Sequence, residues 1–183
     1  MSLVSHVYPT PIGALRAVFS PRGLCLLEFV GQKGVERELA QVEAARAGAP
    51  ERPDGALIGR LGAQLGRYFA GRLRTFDVPL DLVGTPFQRS VWRALLQIPY
   101  GKTWSYAEEA AFIGRPTAVR AVAAANGSNK VSIVVPCHRV IGSNGKLTGY
   151  GGGLPRKEWL LDLERGREPS LFATEAMGGV ANV

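Results

Sequence analysis

Chemistry-bearing residues are scarce in this chain, and their scarcity excludes a good deal. Only two cysteines and two histidines occur among its 183 residues. Two cysteines in unlike surroundings make no disulfide framework. Without a Cys-x-x-Cys pair, a dithiol redox role is a poor reading. Cys25 and His6 do not supply the four ligands of a structural zinc site, so neither a metal nor a cofactor is expected. No apolar run approaches the ~20 residues that span a bilayer, so no membrane partner is expected. Residues 1–6 lack a basic stretch followed by a long apolar one, which argues against a secretory leader and for a reducing, cytoplasmic compartment. Repeats and low-complexity tracts are absent. No GxGxxG or GxxxxGK[ST] pattern joins a strand to a helix, and the run Gly151, Gly152, Gly153 is not a nucleotide-binding loop.

What is present is a globular composition, 46% hydrophobic and 20% charged, long enough for one domain or two small ones. The net charge is +7 and is unevenly placed. Residues 84–168 carry 12 basic and 6 acidic side chains, against 10 and 8 in residues 1–83. A basic C-terminal half suits a polyanionic partner, most simply nucleic acid.

The first half reads as a small β-meander over 4–8, 13–19 and 24–30, with Pro- and Gly-bearing turns between the runs. Helical spacing follows over 35–47 and, through Leu57, Leu61, Leu65 and Tyr68, over 57–69, with a loop at 48–55 between them. Residues 76–82 read as a short strand or extended linker. In the second half, Thr85 is a good N-cap and Pro86 a good first helical residue, for a helix to about residue 97. Ser105 and Glu108 form a capping-box pattern for the next helix, which Gly114 ends. Pro116 or Thr117 starts another, over 118–125. Two short helices around a Gly-bearing turn are the helix-turn-helix unit of DNA readers, although such pairs also serve as plain packing units. The second of them holds almost only small residues, Ala121 and Ala124 among them, and one Arg, Arg120. That composition favours close approach to a phosphate backbone over base-edge readout. The expected architecture is α/β (α+β): an N-terminal sheet domain with helices at 1–83, a mostly helical C-terminal domain at 84–168, and a tail at 169–183. The tail is expected either to be disordered or to clamp the domains together.

The most specific local feature is Pro136, Cys137, His138, Arg139 after the apolar run 131–135. The run reads as a buried strand that Pro136 ends, leaving Cys137 where the chain turns. His138 is placed to act as its base, and Arg139 adds positive charge. Both are expected to lower the thiol from its ordinary ~8.5 and favour the nucleophilic thiolate. The competing reading, a small buried hydrophobe, fits Cys25 better, since Cys25 lies among leucines.

Together with Asn129, the Ser105-Tyr106 pair, Arg120, Tyr150 to Leu154, and Lys157 to Leu161 with Glu164, this motif resembles the O6-alkylguanine-DNA alkyltransferases, also called methylated-DNA–protein-cysteine methyltransferases. The resemblance covers about residues 84–165; the first half matches in outline. It implies that Cys137 accepts the alkyl group, that His138 draws its proton through a water, and that Glu164 orients the histidine. It further implies that Asn129 braces the turn behind the cysteine, Arg120 fills the gap left by a flipped base, and Tyr106 crowds the target phosphate and later hydrogen-bonds the departing guanine. Ser105, Thr117, Ala121, Ala124 and Arg139 would complete the DNA contacts. Val140, Tyr150, Gly151, Gly152 and Lys157 would line or support the pocket. The partner implied is double-stranded DNA carrying alkylated bases, met by a monomer that acts once. O4-alkylthymine is an expected second substrate. Two alternatives stand beside this: a sensor that binds alkylated DNA without repairing it, and a thiol hydrolase using Cys137 and His138.

Overall fold

A computed structural model of the chain describes residues 3–48 and 52–169, so the expected tail falls almost wholly outside the described residues. The chain adopts the α/β class expected. Three antiparallel strands, β1 (Val4–Tyr8), β2 (Leu15–Ser20) and β3 (Gly23–Phe29), form a sheet in sequence order. Helices α1 (Val35–Ala45) and α2 (Ala56–Phe69) follow. The second half runs α3 (Pro86–Leu95), β4 (Trp104–Ser105), α4 (Tyr106–Phe112), α5 (Val119–Gly127), a single 3-10 turn (Cys137–Arg139), β5 (Val140–Ile141) and α6 (Leu154–Glu164). Strands β4 and β5 pair in parallel, Trp104 opposite Val140.

Every residue of β3 is buried, so it must satisfy both faces and both edges. A bulge accomplishes the first. Leu26 pairs with Val18 but Leu24 pairs with Phe19, leaving Cys25 as the extra residue. That insertion turns Leu24 onto the same face as Leu27 and Phe29, where they join Leu57, Leu61, Leu65 and Tyr68 of α2 in the main core. Cys25 and Leu26 join Val18 and α1's Val42 in a second cluster.

The edges are satisfied by two different neighbours. β2 covers one edge. On the other, Leu24 N–H donates to Pro79 at 2.8 Å and Asp81 N–H to Leu24 at 2.9 Å, so the extended linker takes one end. Leu27 exchanges hydrogen bonds with Lys130 and Ser132, both 2.8 Å, so the segment before Cys137 takes the other. The N-terminal sheet thus holds in place the segment that leads to Cys137.

The expected strand at 131–135 is not one. Val131 makes a single parallel bridge to Leu27 and the chain then reverses. Ile133 sits at φ 69°, a region that β-branched residues avoid, at a cost on the order of 1–3 kcal/mol. The reason is Asn129: its Nδ2 donates to Val135 at 2.8 Å and its Oδ1 accepts from Val131 N–H at 3.0 Å. These side-chain bonds replace the ladder a strand would need.

Helix starts follow local chemistry. Thr85 and Ser105 each close a capping box, with Gln88 and Glu108 respectively. Helix α5 begins at Val119, later than expected, and has no side-chain cap. α3 packs on α5, and its Trp92 Nε1 donates to the Ala125 carbonyl at 2.8 Å.

Candidate active site

Cys137 opens the 3-10 turn and borders a cavity of about 280 Å³. Tyr106 of α4, the α5 residues Ala123, Asn126 and Gly127, and the loop 148–151 complete its walls. The structure therefore brings Tyr106, Tyr150 and Gly151 to Cys137. Asn126, Ala123 and the loop's Thr148 were not among the sequence candidates; the turn-like Asn126-Gly127 pair hinted only at a helix end.

Behind Cys137 lies a buried polar hub. His138 Nε2 meets Glu164 Oε1 at 2.8 Å, with both side chains fully buried. Glu164 also accepts from the Tyr68 hydroxyl at 2.8 Å and from Arg139 Nε and Nη2 at 2.8 and 2.9 Å. Burial alone would raise this carboxyl, but the facing His138 and Arg139 outweigh it and hold Glu164 well below the usual carboxylate range. An ionised carboxylate only accepts, so His138 Nε2 must carry the hydrogen. That leaves Nδ1 as the basic ring nitrogen, and Nδ1 is buried with no hydrogen-bond partner among the described residues.

Two expectations change here. Arg139, placed at the DNA face by the sequence, is buried and points inward; Nη1 donates to the Ile98 carbonyl at 2.7 Å and the fork grips Glu164. Its charge is spent on that carboxylate. Nor is the Cys137 thiol lowered. Burial pushes it up to about 11, against the pull of the Asn129 amide and of Lys157.

Lys157 supports the pocket rather than lining it. Its buried ammonium donates to the carbonyls of Val140 at 2.5 Å and Thr148 at 2.9 Å, tying α6 to β5 and the loop. Burial lowers it to about 8. Val140 is buried behind the cavity. Gly152 is also below the wall: a Cβ there would lie 2.9 Å from the Phe29 ring, so only glycine lets the loop seat on β3. Tyr106 spans the cavity and its hydroxyl donates to the Thr148 carbonyl at 3.1 Å. The Tyr150 hydroxyl is buried, and that burial, with Cys137 beside it, raises it well above the ordinary phenol value.

The remaining candidates sit outside the cavity. Arg120, Ala121 and Ala124 are exposed on α5, and Thr117 is exposed just before it. The Ser105 hydroxyl is occupied by its cap, accepting from Glu108 N–H at 3.1 Å. Between α4 and α5, buried Asn126 Nδ2 donates to buried Glu109 Oε2 at 2.6 Å, a contact the sequence did not suggest.

The site is thus a cavity lined by Tyr106 and Tyr150, with the Cys137 thiol at its border and the His138–Glu164 pair behind. Comparison with known proteins gives the class. Residues 3–82 match the family described as 6-O-methylguanine DNA methyltransferase, ribonuclease-like domain, and residues 86–166 its DNA binding domain. The methylated-DNA–protein-cysteine methyltransferase of Mycolicibacterium paratuberculosis is 55% identical over 159 residues, covering 85% of this chain and 94% of that protein. The protein of the same name from Methanosarcina barkeri is 44% identical, covering 86% and 94%. A crystal structure of Mycobacterium tuberculosis OGT in complex with DNA superposes with a TM-score of 0.75 at 46% identity, covering 91% of this chain and 98% of that one. The chain belongs to the methylated-DNA–protein-cysteine methyltransferase family.

Proposed function

We propose that this DNA-repair methyltransferase moves the alkyl group of O6-alkylguanine in duplex DNA irreversibly to its own Cys137, once per molecule. The observation that carries the reading is Cys137 bordering the cavity with the His138–Glu164 pair behind it. An O6-alkyl carbon lies inside the duplex, so the nucleotide must be flipped out, at a few kcal/mol. Exposed Arg120 on a helix of small residues is suited to fill the vacated stack while α5 lies close to the backbone. The helix pair α4–α5 acts as the helix-turn-helix, with Thr117, Ala121 and Ala124 at the DNA.

The thiol proton leaves Sγ for His138 Nδ1, through one bridging water, and Glu164 stabilises the imidazolium that forms. Sγ attacks the alkyl carbon, the carbon–oxygen bond breaks, and guanine keeps the electron pair. Tyr106, at the cavity, donates a hydrogen bond to the departing base. The product is a thioether, which neither water nor a protein base reverses. A thiol resting near 11 fits a nucleophile that is deprotonated only as substrate arrives. O4-alkylthymine presents the same alkoxy carbon and is the second substrate. The protein works as a cytoplasmic monomer.

Incubation with a duplex bearing one O6-methylguanine, followed by peptide mass mapping, tests this. One methyl group on the Cys137 peptide, stoichiometric and never exceeded, is the expected result. Tight binding with Cys137 unmodified would make the protein a lesion sensor. Repeated turnover would make it a hydrolase.

A further inference from the structure

A second cavity, of about 330 Å³, shares no residue with the one beside Cys137. It lies where the two halves meet. Arg22 comes from the β2–β3 turn, Arg46 from the end of α1, and Arg89 and Arg93 from α3; Asp81 of the linker lies among them. Leu80, Leu82 and Leu96 supply apolar wall. Arg89 and Arg93 are four residues apart, hence neighbours on one helix face. That face differs from the one carrying Trp92 and Leu95 into the core.

The charges are not balanced internally. Asp81 is buried and already committed: Arg46 Nε and Nη2 donate to it at 2.6 and 2.5 Å, and the Ser20 hydroxyl at 2.6 Å. Burial works against its ionisation, but those donors hold it below the usual carboxylate range. Among the described residues, the guanidinium groups of Arg22, Arg89 and Arg93 have neither a hydrogen bond nor an ion pair. Among the described residues that line the groove, four arginines face one aspartate. Like charges gathered over apolar wall repel one another, and guanidinium forks match phosphate oxygens two at a time.

We propose that this groove holds the sugar–phosphate backbone of DNA beyond the segment gripped by α4 and α5, so that both halves of the protein touch nucleic acid. The inference rests on the reading of α4–α5 as the principal DNA face. Its energetic signature is counterion release, about 0.9 in the slope of log K against log salt for each phosphate neutralised.

The test measures binding of lesion-free duplexes of about 10 and about 30 base pairs, one and three helical turns, by fluorescence anisotropy across a salt series. The variants are Arg22→Ala/Arg89→Ala/Arg93→Ala, the corresponding triple lysine variant, and Arg120→Ala. The triple alanine variant should lose roughly tenfold or more on the long duplex, with a salt slope shallower by about 2–3, and lose little on the short one. Unchanged methyl transfer to a short lesion duplex verifies that it is folded, and the lysine variant should recover most of the long-duplex affinity. Equal loss on both lengths, or loss on neither, overturns the groove. So does binding of inorganic triphosphate by the wild type alone with both duplexes unaffected, which assigns the groove to a small anion. Failure of the α4–α5 reading is visible separately, as Arg120→Ala leaving both lengths unaffected.

Discussion

The two cysteines report on two regions that treat the same side chain alike in one respect and differently in every other. Burial pushes Cys25 up to about 12 and Cys137 up to about 11. Neither rests as thiolate. Cys25 is sealed inside the N-terminal cluster, its Sγ donating to the Val18 carbonyl at 3.2 Å. Cys137 borders a cavity, stands on a turn braced by Asn129, and has a His–Glu pair behind it. Resting acidity does not separate the two thiols; the proposed reaction at Cys137 rests on access and on an organised proton acceptor.

The sharpest break of that comparison is chemical. Cys137→Ala should abolish methyl transfer, while Cys25→Ala should leave its stoichiometry intact, as read by methyl incorporation from labelled DNA. In the native protein one thiol should react with an aromatic disulfide reagent at pH 8, and two after denaturation. Simultaneous reaction of both in the folded state would end the distinction.

Next in size is Glu164→Gln. It removes the charge that fixes the His138 tautomer, so the transfer rate should fall by about 10²–10⁴-fold. It also strands buried Arg139, at about 3–5 kcal/mol, seen as a lower Tm. A pH profile of the rate separates the two effects, because simple loosening would not move its midpoint.

Glu109 offers a smaller effect in a region between the two. It is buried on α4, and burial raises it to about 7 from an ordinary 4.5, against the hydrogen bond from Asn126. The native state therefore keeps a proton that the unfolded chain has already lost between those values. Stability falls as pH rises through that window, by about 3 kcal/mol in all. Among the described residues, one oxygen of each partner, Glu109 Oε1 and Asn126 Oδ1, lacks a hydrogen bond, and a glutamine at 109 can serve both. Glu109→Gln should flatten the dependence of Tm on pH between 5 and 8. An unchanged slope would show that Glu109 titrates normally. The smallest expected change is Cys25→Ala in stability: about 1–2 kcal/mol for lost burial, measured by urea denaturation, with no change in transfer rate.

Most helices were legible because their determinants are local. The Thr85 and Ser105 boxes read directly, and so did the spacing of Leu57, Leu61, Leu65 and Tyr68. Residues 131–135 were misread since a run of valines and isoleucine has the composition of a strand; the competing bonds come from Asn129, whose amide has no signature in the run itself. The bulge at Cys25 was equally hidden. At the site, Cys137 and His138 were legible as neighbours, and Glu164 through the family pattern. Arg139 was not, because its meaning depends on a carboxylate 25 residues away that cancels the charge its position suggested. The Glu109–Asn126 contact spans two helices, and no spacing rule along one of them announces it.

The outer edge of β3 has a consequence for the life of the polypeptide in a cell. Its hydrogen bonds are filled from the linker and from residues 130–132, which are synthesised long after the strand itself. Until then, Leu24 and Leu27 offer an open, fully apolar edge of the kind that recruits other chains. An N-terminal fragment released by proteolysis, or a ribosome stalled before residue 130, leaves the Leu27 end of that edge bare. Such a truncated product should be found in inclusion bodies, whereas the full-length chain should not. The sheet of the first half is thus closed at its Leu27 end only by the second half.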